Sequence, residues 1–184
     1  MPAHPAWPSL QVVNLDRALK RIAVLVEQPA AEQPDEVTSA LARFLIVRTC
    51  GHLERVVQEC FTTYVHHNSY GRVRDFSASW LKRMENPSPK RLLELVGRFD
   101  SSLKDELESL FKENDGELAR EIGLLIGLRN KIAHGENEGA GPRKALDLMN
   151  YSKVLTDWFV RNFDPREDAT HTLRPSRKIT SRLP

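Results

Sequence analysis

The chain has 184 residues and a mass of 21.0 kDa, which is the size of a single domain. Hydrophobic residues make up 40% of it and charged residues 28%, which is typical of a globular protein with a buried core and excludes a wholly disordered or collagen-like chain. The formal net charge of +2 is too small for a protein that binds nucleic acid with its whole surface.

The sequence has no sign of a membrane anchor or a secretory signal. Its longest apolar runs, such as residues 22–26, are far shorter than the roughly 18 to 20 residues that span a bilayer. The start, MPAHPAWPSL, has neither a basic end nor a continuous apolar stretch, so we expect a cytoplasmic protein without membrane contact. Cys50 and Cys60 should lie about 15 Å apart on one helix, too far for a disulfide, and we expect both to be reduced core residues.

Positive charge is concentrated at the carboxyl end of the sequence. Residues 165–184 have a net charge of +3, which leaves −1 on residues 1–164. We therefore predict a helical domain over residues 1–164 and a basic, disordered tail over residues 165–184. A weak contact between this tail and a polyanion is the alternative interpretation.

Apolar residues repeat with a helical period from the first segment onward. Ser9 is a suitable amino-terminal cap for a helix that ends near Pro29. Residues 35–67 contain no proline and predict the longest helix of the chain. Residues 66–74 are polar and predict a loop, after which we expect a short helix over residues 77–84.

The second half of the chain continues the same pattern. Asp100 or Ser101 can cap a helix, Asn114 to Gly116 interrupt the pattern, and Gly135 suits the position after a helix end. The predicted helices of this half cover residues 91–99, 103–112, 117–134 and 142–163. Strand-like alternation is absent from the sequence, so the predicted fold class is all-α, a helical bundle with a long second helix.

The predicted helix over residues 117–134 carries an arginine on its apolar side. At about 100° per residue, one stripe of this helix contains Leu118, Ile122, Leu125 and Ile132, and Arg129 falls within that stripe. An arginine on an apolar face is costly unless it meets a partner or lines a cavity. Arg129 is therefore a candidate site residue.

A second stripe of the same helix combines small and polar residues. It runs through Ala119, Gly123, Gly127, Asn130 and His134. Each glycine costs on the order of 1 kcal/mol of helix stability relative to alanine, so their spacing suggests a backbone that another helix approaches closely. The two stripes together predict a polar pocket at a helix end, next to a contact between helices or between subunits.

Residues 127–135 read GLRNKIAHG, which resembles the Arg-x(4–6)-His motif of HEPN domains in its shortest form. The IAHG portion resembles the variant in the RiboL-PSP-type HEPN group. The resemblance covers about residues 9–163, an all-α layout in which the motif ends a late helix and one further helix follows. It implies a metal-independent endoribonuclease whose two motif copies meet across a homodimer cleft. It further implies a toxin or antiviral defence effector, with an antitoxin or regulatory protein as a candidate partner.

The chemistry of the motif residues fits RNA cleavage. RNA supplies its own nucleophile, the 2′-hydroxyl, so the protein needs to move protons and to stabilise the charged phosphorus centre. We expect His134 to act as base or acid, Arg129 to hold the phosphate in its planar fork, and Asn130 to orient either of them. The products would end in 2′,3′-cyclic phosphates, and no cofactor or metal ion is expected.

The same residues also have a purely structural interpretation. His134 can interact with the helix dipole, Arg129 can pair with a buried acid, and Gly135 can be an ordinary cap. The alternative function is therefore a non-catalytic HEPN module that binds RNA, a nucleotide or a partner protein. An unpaired Arg129 facing a second copy would favour cleavage, and a salt-bridged Arg129 far from such a contact would favour the module.

Two charged residues of the long helix are candidates for RNA contact or for support of the motif. Arg48 and Glu54 lie on its apolar faces, so Glu54 could pair with Arg129 and Arg48 could contact phosphate. A purely structural role for such a pair of Arg and Glu is an equally open alternative.

Other polar and aromatic residues have simpler expected roles. We expect His66 and His67 to be exposed loop residues rather than metal ligands. Trp80, Tyr151 and Trp158 occur at helical spacing among leucines, so we expect core residues rather than platforms for bases.

Overall fold

The structure, a computed structural model, describes residues 6–81, 87–136 and 140–165. The described residues form six α-helices: α1 Leu10–Glu27, α2 Asp35–Asn68, α3 Gly71–Leu81, α4 Pro89–Phe99, α5 Ser101–Ala133 and α6 Pro142–Asn162. The all-α prediction is confirmed, because this part of the chain contains no β-strand and α2 is its longest helix. None of these helices is long and apolar enough to cross a bilayer. The predicted tail lies outside the described residues, except for Pro165.

Helix starts follow local side-chain chemistry. Ser9 accepts a hydrogen bond from a backbone N–H group in the first turn of α1, and Asp100 accepts two such bonds at the start of α5. Pro142 opens α6, where its missing N–H group costs no helical bond. The predicted residues therefore cap their helices, and Asp100 rather than Ser101 is the cap of α5.

The connection after α2 is much shorter than predicted. The prediction of a loop over residues 66–74 is wrong, because only two residues separate the end of α2 from the start of α3. The backbone turns there because Ser69 is extended and Gly71 has a φ of +58°, a conformation that glycine adopts without strain. The short helix accordingly begins at Gly71, six residues before its predicted start.

Two histidines also have a different position from the predicted one, because α2 extends further than expected. His66 and His67 lie in the last turn of α2 instead of in a loop. The carboxyl end of a helix carries a partial negative charge, which favours histidine there. His66 is exposed, as expected, whereas His67 is half-buried.

The central helix of the bundle is α2, which contacts α1, α3, α5 and α6. Its neighbour α1 runs antiparallel to it, because Ser9 donates a hydrogen bond to Glu59 while His52 contacts Asp16. Helices on several sides of α2 explain why its buried residues do not form a single stripe. Cys50 and Cys60 are buried free thiols on this helix, as predicted.

Aromatic rings form the core at one end of the bundle. Phe61 of α2 lies with its ring centroid 4.6 Å from that of Phe99 and 4.3 Å from that of Phe163. Tyr151 and Trp158 are buried as predicted. The core prediction for Trp80 is wrong, because 42% of this residue is exposed on α3, a helix whose backbone lies close only to that of α2 among the described elements.

Candidate functional site

The candidate site lies on the second half of α5, residues 117–133. A break precedes this half, since Asn114, Asp115 and Gly116 all have positive φ angles, between 48° and 77°. Left-handed backbone changes the chain direction, and asparagine, aspartate and glycine tolerate it best. The interruption predicted at these residues therefore separates the motif helix from the first half of α5.

The carboxyl end of α5 is fixed by two backbone hydrogen bonds beyond the last helical turn. The N–H of Gly135 donates to the carbonyl of Ile132 at 3.1 Å, and the N–H of Glu136 donates to that of Lys131 at 2.9 Å. This is a Schellman motif, and Gly135 provides the left-handed residue it needs with a φ of +80°. His134 is consequently held as the cap residue of α5, with an exposed side chain.

Arg129 and Glu54 meet between α5 and α2. The Nη2 atom of Arg129 donates a hydrogen bond to Oε1 of Glu54 at 2.6 Å, and both side chains are 29% exposed. The apolar stripe around Arg129 is buried at Leu118, Ile122 and Leu125, so the guanidinium reaches the rim of the core rather than its centre. Arg129 lies on an apolar face and therefore requires a polar partner. Glu54 is that partner.

Cys50 is a third member of this contact. Its sulfur lies 3.9 Å from Oε1 of Glu54, one turn away on α2. Hydrogen bonding to Cys50 and the charge of Glu54 raise the pKa of Arg129 above its usual range, which keeps the guanidinium charged. Burial raises the pKa of the Cys50 thiol, so this residue is protonated at neutral pH.

Cys50 was not among the residues predicted for the site. Its spacing of four residues before Glu54 places both on one side of α2, and this was the available signal in the sequence. Arg48 lies on the exposed surface of α2, and none of the described residues forms a hydrogen bond or ion pair with it. Of the two α2 residues considered for support, the structure brings Glu54 but not Arg48 into contact with Arg129.

Asn130 and His134 lie on the same side of α5, because they are four residues apart. Asn130 is half-buried, and in the described part of the chain neither side chain has a hydrogen-bond partner. Arg129 precedes His134 by five residues and so points about 140° away from it around the helix axis. Within one chain, the cation and the imidazole therefore face different directions.

The small-residue stripe of α5 is open to solvent. Gly123 and Gly127 are exposed, and a Cβ atom added at either would meet nothing within 4 Å. Leu124 beside them is 41% exposed. The predicted close approach of another helix is not made by any described part of the same chain.

Flanking contacts hold the motif helix on α6. The hydroxyl of Tyr151 donates to Glu117 at 2.5 Å, which raises the pKa of Tyr151 to about 12, and Lys144 pairs with Glu121 at 2.7 Å. Among the residues that the structure describes, no three histidine, cysteine or acidic side chains are grouped so as to hold a metal ion.

Comparison with known protein families gives a match over most of the chain. A family model described as RiboL-PSP-HEPN matches residues 14–162. This range reaches from α1 to the end of α6 and includes both the motif residues and Glu54. No curated protein and no solved structure matches the chain.

Proposed function

Because the chain belongs to the RiboL-PSP-HEPN family, we propose that it is an endoribonuclease that cuts RNA without a metal ion. In this reaction the 2′-oxygen attacks the adjacent phosphorus and the bond from phosphorus to the 5′-oxygen breaks. A base takes the proton of the 2′-hydroxyl, and an acid gives a proton to the leaving 5′-oxygen. One fragment then ends in a 2′,3′-cyclic phosphate and the other in a 5′-hydroxyl.

Each motif residue has a role in that reaction. His134 removes the 2′-proton or delivers one to the 5′-oxygen, because histidine exchanges protons near neutral pH. Arg129 stabilises the negative charge on the phosphorus centre with the guanidinium nitrogens that Glu54 does not engage. Asn130 cannot exchange protons in this range and orients the phosphate or His134.

A single observation carries the proposal, namely that one helix end holds an exposed histidine on a rigid backbone and, on another side, an arginine that is held in place. The Schellman motif fixes the backbone of His134, and Glu54 and Cys50 restrict the position of Arg129. Preorganised groups of this kind stabilise a transition state without reorganising during the reaction.

We further propose that the active form is a homodimer with the motif at its interface. The exposed Gly123, Leu124 and Gly127 offer a flat surface that a second helix can approach closely. Arg129 and His134 of one chain point about 140° apart, so a second copy can supply the group that the first lacks at a given phosphate. An isologous dimer would form two such composite sites.

The proposed biological role is that of a cytoplasmic toxin or defence effector. A nuclease that needs no metal ion or cofactor acts as soon as it is folded, so a cell must restrain it. An antitoxin or another regulatory protein that covers the motif is the partner this role requires.

A non-catalytic module that binds RNA, a nucleotide or a partner protein is the second candidate. The observation that favours it is the ion pair itself, because a guanidinium engaged by Glu54 offers fewer free donors to a phosphate. In this case the contact joins α5 to α2, and His134 serves only as a cap.

The test is RNA cleavage by the purified chain in the presence of EDTA, with structured and unstructured labelled RNAs. His134→Ala should abolish cleavage, and the fragments made by the native chain should carry cyclic phosphate ends. The matched control is His66→Ala, which removes another exposed helical histidine and should cut normally.

The two candidates give different results in this assay. Equal cutting by the native chain and His134→Ala would exclude the proposed site. If neither protein cuts, with or without added Mg²⁺, and the native chain still binds RNA or a nucleotide, the binding module is the correct function.

A further inference from the structure

Helix α3 presents a continuous apolar surface to solvent. Tyr70, Val73, Phe76 and Trp80 are 80%, 67%, 73% and 42% exposed in the described structure. Val73, Phe76 and Trp80 lie within about 60° of one another around the helix axis, and Tyr70 immediately precedes the helix. Single exposed apolar residues are common on proteins, but four within eleven consecutive residues form a patch that usually binds something.

The opposite side of α3 is fixed against the bundle. Ala78 and Leu81 are 8% and 1% exposed, and α3 contacts α2. The aromatic side of α3 therefore cannot turn inward without exposing Leu81. The surface formed by Tyr70, Val73, Phe76 and Trp80, hereafter the α3 surface, is a stable property of the fold.

Two arginines lie beside the α3 surface. Arg72 is exposed, and the guanidinium carbon of Arg98 lies 5.1 Å from the centre of the Trp80 ring. Asp75, which pairs with Arg74, is the acidic residue of α3. The surface consequently combines aromatic rings with a local excess of positive charge, whereas residues 1–164 as a whole carry −1.

This combination suits unpaired RNA. Bases stack on exposed aromatic rings and on guanidinium planes, and arginines bind the phosphates between them. Phe76 and Trp80 are about 6 Å apart along the helix axis, which exceeds the 3.4 Å step between stacked bases of a duplex strand. Rings at this spacing fit bases that are separated from their neighbours rather than bases within a helix.

We propose that the α3 surface is a binding site for single-stranded RNA, which selects unpaired over paired substrate. The inference rests on the proposed function, because it adds a substrate contact to that nuclease. Glu54 and the end of α2 at Asn68 are 14 residues apart, or about 21 Å along the helix. The α3 surface thus contacts RNA several nucleotides away from the bond that is cut.

The test measures binding separately from cleavage, in the full chain with His134→Ala. Fluorescence anisotropy compares a labelled single-stranded RNA of mixed sequence with a hairpin of the same length. The α3 variant is Tyr70→Ala with Phe76→Ala, which removes two rings that make little packing contact and leaves every charge in place. The matched control is Leu10→Ala with Leu25→Ala, two exposed leucines on α1.

The α3 variant should bind the single strand about ten-fold or more weaker than its parent, because alanine substitution of a base-stacking ring commonly costs at least that much. Binding of the hairpin should change less, and the α1 control should bind as the parent does. Thermal unfolding of each variant verifies that the fold is intact.

Four results would overturn the inference. The first is equal loss of single-strand binding in the α3 variant and the α1 control, and the second is no RNA binding by the His134→Ala parent. The third is a change in oligomer mass in the α3 variant alone, which would assign the surface to a protein interface. The fourth is single-strand binding that does not change when the two rings are removed, which disproves the α3 site whether or not the native chain cuts RNA. A chain that binds RNA through α3 without cutting it disproves the nuclease but not the α3 site.

Discussion

At the residue scale, the contact between Arg129 and Glu54 restricts the position of the Arg129 guanidinium. The hydrogen bond uses one guanidinium nitrogen, Nη2, and both side chains remain 29% exposed. A pair with this exposure adds at most about 1 kcal/mol to stability. Its larger effect is on geometry, because the planar fork of Arg129 is held in one orientation.

Arg129→Lys tests that geometry. Lysine keeps the positive charge but lacks the planar fork, so we expect kcat/KM for RNA cleavage to fall by about 100-fold or more. The unfolding free energy should change by less than about 1 kcal/mol. The matched control is Arg55→Lys on α2, an exposed arginine that bonds to Gln58, and it should cut like the native chain. Full activity of Arg129→Lys would show that only charge matters at this position.

A second pair, Asp16 and His52, joins α1 to α2. The Nε2 atom of His52 lies 2.6 Å from Oδ1 of Asp16, and Nδ1 of this buried histidine has no partner in the described structure. The hydrogen bond from His52 lowers the pKa of Asp16, and the charges of Lys153 and Lys20 add to this effect. The folded chain therefore favours the Asp16 carboxylate more than the unfolded chain does.

This shift predicts how Asp16→Asn changes stability with pH. A carboxyl group whose pKa is lowered on folding stabilises the fold above its unfolded pKa, and that stabilisation is lost as pH falls through the folded value. Asp16→Asn should be less stable than the native chain near neutral pH, by at most about 1 kcal/mol because the carboxylate is 41% exposed. The difference should shrink between about pH 5 and pH 3. Urea unfolding across this range measures it, with the exposed Asp105→Asn as control, and a difference that grows with acid would contradict the argument.

At the element scale, the second half of α5 combines two requirements. Its buried stripe anchors it to the bundle, while Gly123 and Gly127 leave its outer side without side chains. Glycine weakens a helix, and no described neighbour of the same chain needs the space it leaves. A second copy of the chain is the neighbour that would explain both glycines.

Gly127→Ala distinguishes the effect of this glycine on the stability of the monomer from its effect on association of the dimer. In the monomer, the added methyl group meets no atom within 4 Å, so we expect the unfolding free energy to rise by about 0.5 to 1 kcal/mol. In the dimer, the same methyl group should separate the two helices and weaken association. Urea unfolding at low concentration and sedimentation velocity at high concentration measure the two effects. Gly51→Ala on α2, which also has free space, is the control that should stabilise without dissociation.

At the scale of the whole molecule, the motif lies at the surface of the bundle and the aromatic rings lie in its core. The match to the RiboL-PSP-HEPN family extends over residues 14–162, a range that includes residues of all six helices. Assembly of two such bundles would bring two motifs together, which no single chain can do. The decisive property is therefore whether the site is shared between copies.

A mixture of two inactive variants tests this property. If each site combines Arg129 of one chain with His134 of the other, a heterodimer of Arg129→Lys and His134→Ala contains one intact site. Random exchange should then restore about a quarter of the native activity. Each variant alone should keep about one hundredth of the native activity or less. If the mixture is no more active than the separate variants, both residues of a working site lie on one chain.

Much of this molecule follows from interactions within a few residues of the sequence. The period of the apolar residues, the caps at Ser9 and Asp100, the break at Asn114 to Gly116 and the end of α5 at Gly135 all depend on backbone geometry and on neighbours within one turn. The string GLRNKIAHG is equally local, and it indicated the family whose model matches the chain.

Other features depended on residues that are distant along the chain. Glu54 and Cys50 are more than 70 positions from Arg129, so the pattern offered the pair of Glu54 and Arg129 only as one possibility and did not indicate a contact between Cys50 and Arg129. Trp80 has the spacing of a core residue, yet it is exposed because α3 packs at the edge of the bundle. Periodicity records which residues share a helix side, whereas the packing of the other helices decides whether that side meets protein, a second copy or solvent.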